Sequence, residues 1–224
     1  MSNTVSLKAS DGHELSAYVA MPEGTPKGGL IVLQEIFGVN DHIRDVADRF
    51  AAEGYLAIAP AMFDRIGKDI VPDYEDFQGA IDTMGKLDRE QSVLDIKAAA
   101  EHVRSAGKVA AVGYCWGGSM ADLAACNGIV DVAVSYYGRG TADWLDLKPQ
   151  CPVLYHFGED DPLIPMQMIE AISKGRSQKN CEIHVWGGAS HGFNSDNRPQ
   201  YHKPSATKAY AETLEFIATG FAAA

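Results

Sequence analysis

A chain of 224 residues, 46% hydrophobic and 22% charged, has the composition of a soluble globular protein and is long enough to bury one substantial core. Its formal net charge of −11 argues against nucleic acid and anionic membranes as partners; a small anion could bind only in a local cationic pocket. No apolar run reaches the roughly 18 residues of a membrane helix, and the polar start MSNTVSLKASDGHEL has no signal-peptide pattern, which points to the cytoplasm.

Taken in order, VSLKA and LSAYVA around an Asp-Gly turn predict an N-terminal hairpin. GGLIVLQ is a short continuous apolar run, as expected of a strand buried on both faces. QEIFGV, residues 34–39, closes that strand and puts Glu35 at its apolar end, where a carboxylate is costly unless paired or protonated. Asp41–Glu53 has apolar residues at 43, 46, 47 and 50, a helical spacing stopped by Gly54. YLAIAPAMF predicts another buried strand. Residues 64–88 are polar and rich in Gly, Pro and Asp, and predict an irregular, lid-like excursion with a short helix near 74–84. Arg89–Ser105 is a helix by its apolar positions 93, 96, 99, 100 and 103.

KVAAVGYC is the next strand, and it runs into GYCWGG, residues 113–118, followed by the helical SMADLAAC. A strand, a tight glycine-flanked turn and a helix are the context of a nucleophile elbow, with cysteine where G-x-S-x-G has serine. Cys115 at a helix N-terminus meets a dipole and N–H groups that favour a thiolate. Alternatively it is a small apolar residue filling a glycine-rich turn. Cys126, Cys151 and Cys181 form no C-x-x-C and predict buried, reduced thiols; nothing in the pattern suggests a metal or cofactor.

Strands VDVAVSYYG and PVLYHFG follow. The loop after the second carries Glu159, Asp160 and Asp161 before Pro165 opens the helix PMQMIEAISKGR. A carboxylate there can hold a histidine in the required tautomer, and Asp161 is the choice over Asp160; these acids could also only cap a helix. The last strand, CEIHVWGG, leads into GGASHGF with His191, and Lys203–Ala218 is a closing helix. His156 and His184 fall inside strand patterns and read as structural. Strands alternating with helices predict one α/β domain over residues 1–224, with a mostly parallel sheet whose ligands sit beyond the carboxyl ends of the strands. Cys115, Asp161 and His191 all fall at such ends, in the chain order of the α/β-hydrolases. In that fold the amides of Ile36 and Trp116 supply the oxyanion hole.

QEIFGV, GYCWGG, YYG at 136–138, HFGEDDPLIP and SHGF together resemble the dienelactone hydrolase (carboxymethylenebutenolidase) family of α/β-hydrolases over nearly the whole chain, least in residues 64–88. The resemblance implies hydrolysis of a cyclic enol ester in the breakdown of aromatic compounds, without cofactor or metal. It also implies Cys115 as nucleophile, served by His191 and Asp161, with Glu35 helping to generate the thiolate. Family members hold the substrate carboxylate with two arginines. Here no arginine lies between Arg65 and Arg89, and Ser195 stands where the second would fall. Arg139 and Arg198 are the conceivable replacements, or plain surface residues. A carboxylesterase or thioesterase of the same fold, and a non-catalytic thiol redox sensor, are the alternative functions. Partners are expected to be a small lactone or ester, with the protein a monomer or small homo-oligomer.

Overall fold

A computed structural model describes residues 2–177 and 180–223. The chain divides into two compact units, residues 1–111 and 112–224. In the first, β1 (Ser2–Lys8) and β2 (Glu14–Ala20) form the antiparallel hairpin, with Leu7 opposite Leu15 and Lys8 opposite Glu14. β2 pairs antiparallel with β4 (Leu56–Pro60), and β4 pairs parallel with β3 (Gly29–Leu33), giving the order β1-β2-β4-β3. Every residue of β3 and β4 is buried, which is why both read as continuous apolar runs. The strand expected over YLAIAPAMF stops at Pro60, and Met62–Arg65 turns as a short 3-10 helix.

α1 (Asp41–Ala52) buries Ile43, Val46, Ala47 and Phe50, and Asn40 caps it by accepting from the Ile43 amide at 3.0 Å. Within the excursion, α2 spans Phe77–Met84, capped by Asp76. The excursion is fastened to the loop after β3: Tyr74 meets Phe37 edge-on at 4.6 Å, and its hydroxyl accepts from Asn40 Nδ2 at 3.0 Å. Gly38, at φ +74°, lets the Ile70 carbonyl come where a Cβ would stand only 2.5 Å away. α3 (Arg89–Val103) follows, capped by Asp88. Arg65 grips Asp95 of α3 with two nitrogens, at 2.8 and 2.7 Å, and Asp11 of the hairpin turn at 2.6 Å. β5 (Val109–Tyr114) carries the chain across the boundary between the units.

In the second unit, α4 (Trp116–Cys126) is followed by β6 (Val132–Tyr136), β7 (Val153–Gly158), α5 (Met166–Gly175), β8 (Cys181–Trp186) and α6 (Lys203–Ala222). β6, β7 and β8 pair in parallel in that order, with β6 and β7 wholly buried. A 3-10 segment over Arg139–Trp144 had no sequence signal. Cys151 is buried, but Cys126 and Cys181 are only half-buried, at the end of α4 and the start of β8. No helix among the described residues is long and apolar enough to cross a membrane.

Candidate active site

The elbow is built from absent side chains. A Cβ on Gly113 would lie 1.9 Å from the Gly117 carbonyl oxygen, and one on Gly118 would lie 2.5 Å from that of Tyr136. With both clear, the chain leaves β5 and enters α4 within one residue. Cys115 takes the turn at φ 55° and ψ −117°, a conformation that non-glycine residues rarely adopt. Its amide donates to the Tyr136 carbonyl at 3.0 Å, tying the turn to β6. Its carbonyl accepts the Gly118 and Ser119 amides at 3.0 and 3.3 Å, and the side chain is left half-exposed at the head of α4. Trp116 is the first residue of that helix, where amides have no acceptor within the helix itself.

Two loops from the same unit converge on this sulfur. Past β7, Asp161 is 3% exposed; its Oδ1 accepts the Leu163 and Ile164 amides at 2.8 and 3.2 Å, which leaves Oδ2 for His191. Asp160, its exposed neighbour, spends its amide on the Ala189 carbonyl at 2.9 Å. Past β8, successive turns fold residues 190–202 back on themselves, closed by the His202 amide on the Phe193 carbonyl at 2.9 Å. His191 Nδ1 lies 2.8 Å from Asp161 Oδ2, and its Nε2 lies 3.0 Å from Cys115 Sγ. Burial by itself would push the His191 imidazolium down. Negative charge on the Cys115 sulfur and the hydrogen bonds to Asp161 and Cys115 outweigh it and carry His191 up to about 10.

The other expected residues sit as follows. Glu35 and Ile36 lie in the first unit directly after β3, at 1% and 4% exposure. Arg139 is exposed at the start of the 3-10 segment. Arg198 is half-buried, and its Nη1 would stand 3.0 Å from a Cβ on Gly192, so its guanidinium lies over the residue next to His191. Arg65 is committed to Asp95 and Asp11. Two further features come from contacts that local sequence does not encode. Tyr137, at φ 39° and fully buried, sets its ring against His191. Asp122, on α4, receives Arg176 Nε and Nη2 at 2.9 and 2.8 Å, Trp144 Nε1 at 2.7 Å, and the Tyr155 hydroxyl.

Among the described residues, one group, His156, His184 and Glu212, brings three possible metal-ligand atoms within 4.8 Å of one another. The Trp186 indole N–H donates to His156 Nδ1 at 3.2 Å, so the neutral ring carries its proton on Nε2, which faces Thr213 Oγ1 at 3.2 Å. Burial pushes the His156 imidazolium down to about 3. His156 therefore offers no lone pair, His184 Nδ1 is already engaged by Glu212, and the group is a hydrogen-bond network and not a cation site.

The model of the family described as the dienelactone hydrolase family matches residues 15–221. The carboxymethylenebutenolidase of Pseudomonas putida is 33% identical over 224 positions, covering 96% of this chain and 95% of that one. A Yersinia pestis protein provisionally given the same name is 36% identical over 228 positions, covering 93% and 85%. A crystal structure from Klebsiella pneumoniae, provisionally named a dienelactone hydrolase, superposes with a TM-score of 0.84 at 32% identity over 97% of this chain and 99% of that one. Eight mostly parallel strands with flanking helices and an antiparallel N-terminal hairpin are the α/β-hydrolase fold, and the chain belongs to the dienelactone hydrolase family, as a hydrolase of ester bonds.

Proposed function

We propose that this enzyme hydrolyses an enol lactone or activated ester through an acyl-thioester on Cys115, with His191 as acid and base and Asp161 holding the imidazole. One observation carries the reading: a strained elbow cysteine whose sulfur is 3.0 Å from a histidine that a buried carboxylate holds from its other nitrogen at 2.8 Å. The thiolate attacks the carbonyl carbon, forming a C–S bond. Charge develops on the carbonyl oxygen, toward the Trp116 amide and, on the resemblance of QEIFGV, that of Ile36; each such donor is typically worth about 3 kcal/mol. Collapse expels the enolate or alkoxide, which takes its proton from the imidazolium.

Acylation then changes the histidine. An acylated sulfur has no charge, so the largest influence raising His191 is lost while burial still opposes its protonation. The imidazole is left neutral and can accept a proton from the water that hydrolyses the thioester. A thiolate is itself a good leaving group, so a poor one such as an amine would be retained and the adduct would revert. Enol lactones and activated esters are favoured over amides for that reason.

A role in aromatic degradation, and thiolate formation assisted by Glu35, are what the resemblance of QEIFGV, GYCWGG and SHGF to the dienelactone hydrolase family implies. A neutral activated ester is the second reading, because Arg65 is bound within its own unit and Ser195 replaces the second arginine. Arg198, over Gly192, and Arg139 are then the candidate groups for a substrate carboxylate. The test is iodoacetamide at one equivalent, with hydrolysis of a dienelactone and of p-nitrophenyl acetate followed in parallel. Labelling of Cys115 should abolish both; full turnover by the labelled protein would dispose of the cysteine mechanism.

A further inference from the structure

Among the described residues of the second unit, two that are not glycine hold left-handed backbone, Cys115 at φ 55° and Tyr137 at φ 39°. The elbow chemistry accounts for the first and leaves the second unexplained. Tyr137 is gripped from several sides. Its amide donates to the His156 carbonyl on β7 at 2.7 Å, and the carbonyl of Tyr136, just before it, accepts the Cys115 amide at 3.0 Å. Just after it, Gly138 passes so close to the elbow helix that a Cβ would lie 2.7 Å from the Ser119 nitrogen and 2.4 Å from Ser135 Oγ. The chain is thus forced through a conformation that costs free energy, and what it delivers is one fully buried ring.

That ring meets His191 in an edge arrangement, centroids 5.1 Å apart and planes at 60°. Phe193, two residues past His191, backs the same ring at 5.4 Å and 71°. The two hydrogen bonds of His191 run to Asp161 and Cys115 from opposite sides of the imidazole. Bonds so placed set an axis through the ring but resist rotation about that axis weakly. A wall against the imidazole supplies the missing restraint.

We propose that Tyr137 is a positioning residue for His191, its buried ring holding the imidazole plane so that both nitrogens stay on Cys115 and Asp161. The inference rests on the reading of His191 as the group serving Cys115. Removing the wall lets the plane rock, weakens the coupling of sulfur to imidazole, and leaves the thiol nearer to an ordinary one.

The test compares Tyr137→Phe, which keeps a ring, with Tyr137→Leu, which does not, and with Phe193→Leu, which removes only the backing. Two quantities are measured: kcat and KM on p-nitrophenyl acetate, and the pH profile of Cys115 alkylation by iodoacetamide without substrate. Tyr137→Leu should lose about tenfold or more in kcat, with KM within about twofold, and its alkylation profile should move to higher pH. Phe193→Leu should shift both readouts the same way and less, and it serves should Tyr137→Leu fail to fold. Tyr137→Phe should stay near the parent in both. An unchanged alkylation profile in the two leucine variants would overturn the assignment, as would a phenylalanine variant as impaired as Tyr137→Leu. The alkylation arm needs no turnover. Failure of the hydrolase reading would instead show as an unaltered alkylation contrast beside hydrolysis that survives labelling of Cys115 in the parent protein.

Discussion

The Nε2 of His191 stands 3.0 Å from the Sγ of Cys115. Burial pushes the Cys126 and Cys151 thiols up to about 12 and Cys181 up to about 11. Near neutral pH those three remain protonated and slow as nucleophiles. One equivalent of iodoacetamide should therefore modify Cys115 ahead of the other three, as read by peptide mass mapping. Labelling spread evenly over four sites would mean that the imidazole does not activate the sulfur.

Asp161 Oδ2 accepts from His191 Nδ1, and Oδ1 is anchored by two backbone amides. An amide in its place can present N–H to the imidazole and favour the wrong tautomer. Asp161→Asn should lower kcat roughly 10²-fold or more with KM little changed. A loss confined to KM would make Asp161 a binding or folding residue.

Arg198 lies over Gly192, beside His191. If it receives a substrate carboxylate, Arg198→Ala should raise KM about tenfold or more for carboxylate-bearing lactones and leave neutral esters unaffected, since a charge-assisted bond is worth roughly 1.5–3 kcal/mol. Equal effects on both substrate types would assign the carboxylate to another group, with Arg139→Ala the next variant to measure.

Two buried histidines should make stability fall on both sides of neutrality. His191, raised from 6.5 to about 10, contributes stability that is whole below 6.5 and is lost as the pH climbs toward 10. His156, lowered from 6.5 to about 3, contributes stability that is whole above 6.5 and is lost as the pH falls toward 3. Melting temperature against pH should show both slopes. Cys115→Ala, which removes the charge that raises His191, should flatten the alkaline limb, and His156→Gln the acid limb. An alkaline limb unaltered in Cys115→Ala would refute the ion pair.

Much of this was legible in the residues because the physics is local. Period-two and period-3.6 apolar spacing, Asn40 and Asp88 as caps, and the small residues Gly113, Gly117 and Gly118 each act within a few positions of chain. In the sequence, Asp161 differs from Asp160 only in its distance from Pro165; in the fold the two differ in burial, Asp160 being exposed and Asp161 not. Tyr137 belongs to the YYG stretch, but its left-handed backbone comes from clamps on β7 and the elbow that lie 19 and 22 residues away in sequence (137 against 156 and 115), beyond any local pattern. Arg65 and Arg176 were invisible for the same reason, since their carboxylates come from elements far along the chain.

Arg176 shows how far such a partner can change a residue's meaning. At the end of an amphipathic helix, an arginine reads as a solvated stop signal; here it is 1% exposed, with Asp122 fully buried against it. Arg176 also donates through Nη1 to the Leu147 carbonyl at 2.8 Å, while Asp122 takes the Trp144 and Tyr155 donors, so both charges are well solvated by protein groups. Removing one partner strands the other in the interior. Arg176→Met should therefore destabilise by about 3–5 kcal/mol, and Asp122→Asn added to it should recover part of the loss. Denaturant midpoints of the two variants and the parent measure this. Asp122 lies about two helical turns past the elbow, so turnover per folded molecule should stay near that of the parent at low temperature. A single variant as stable as the parent would show that the pair contributes nothing.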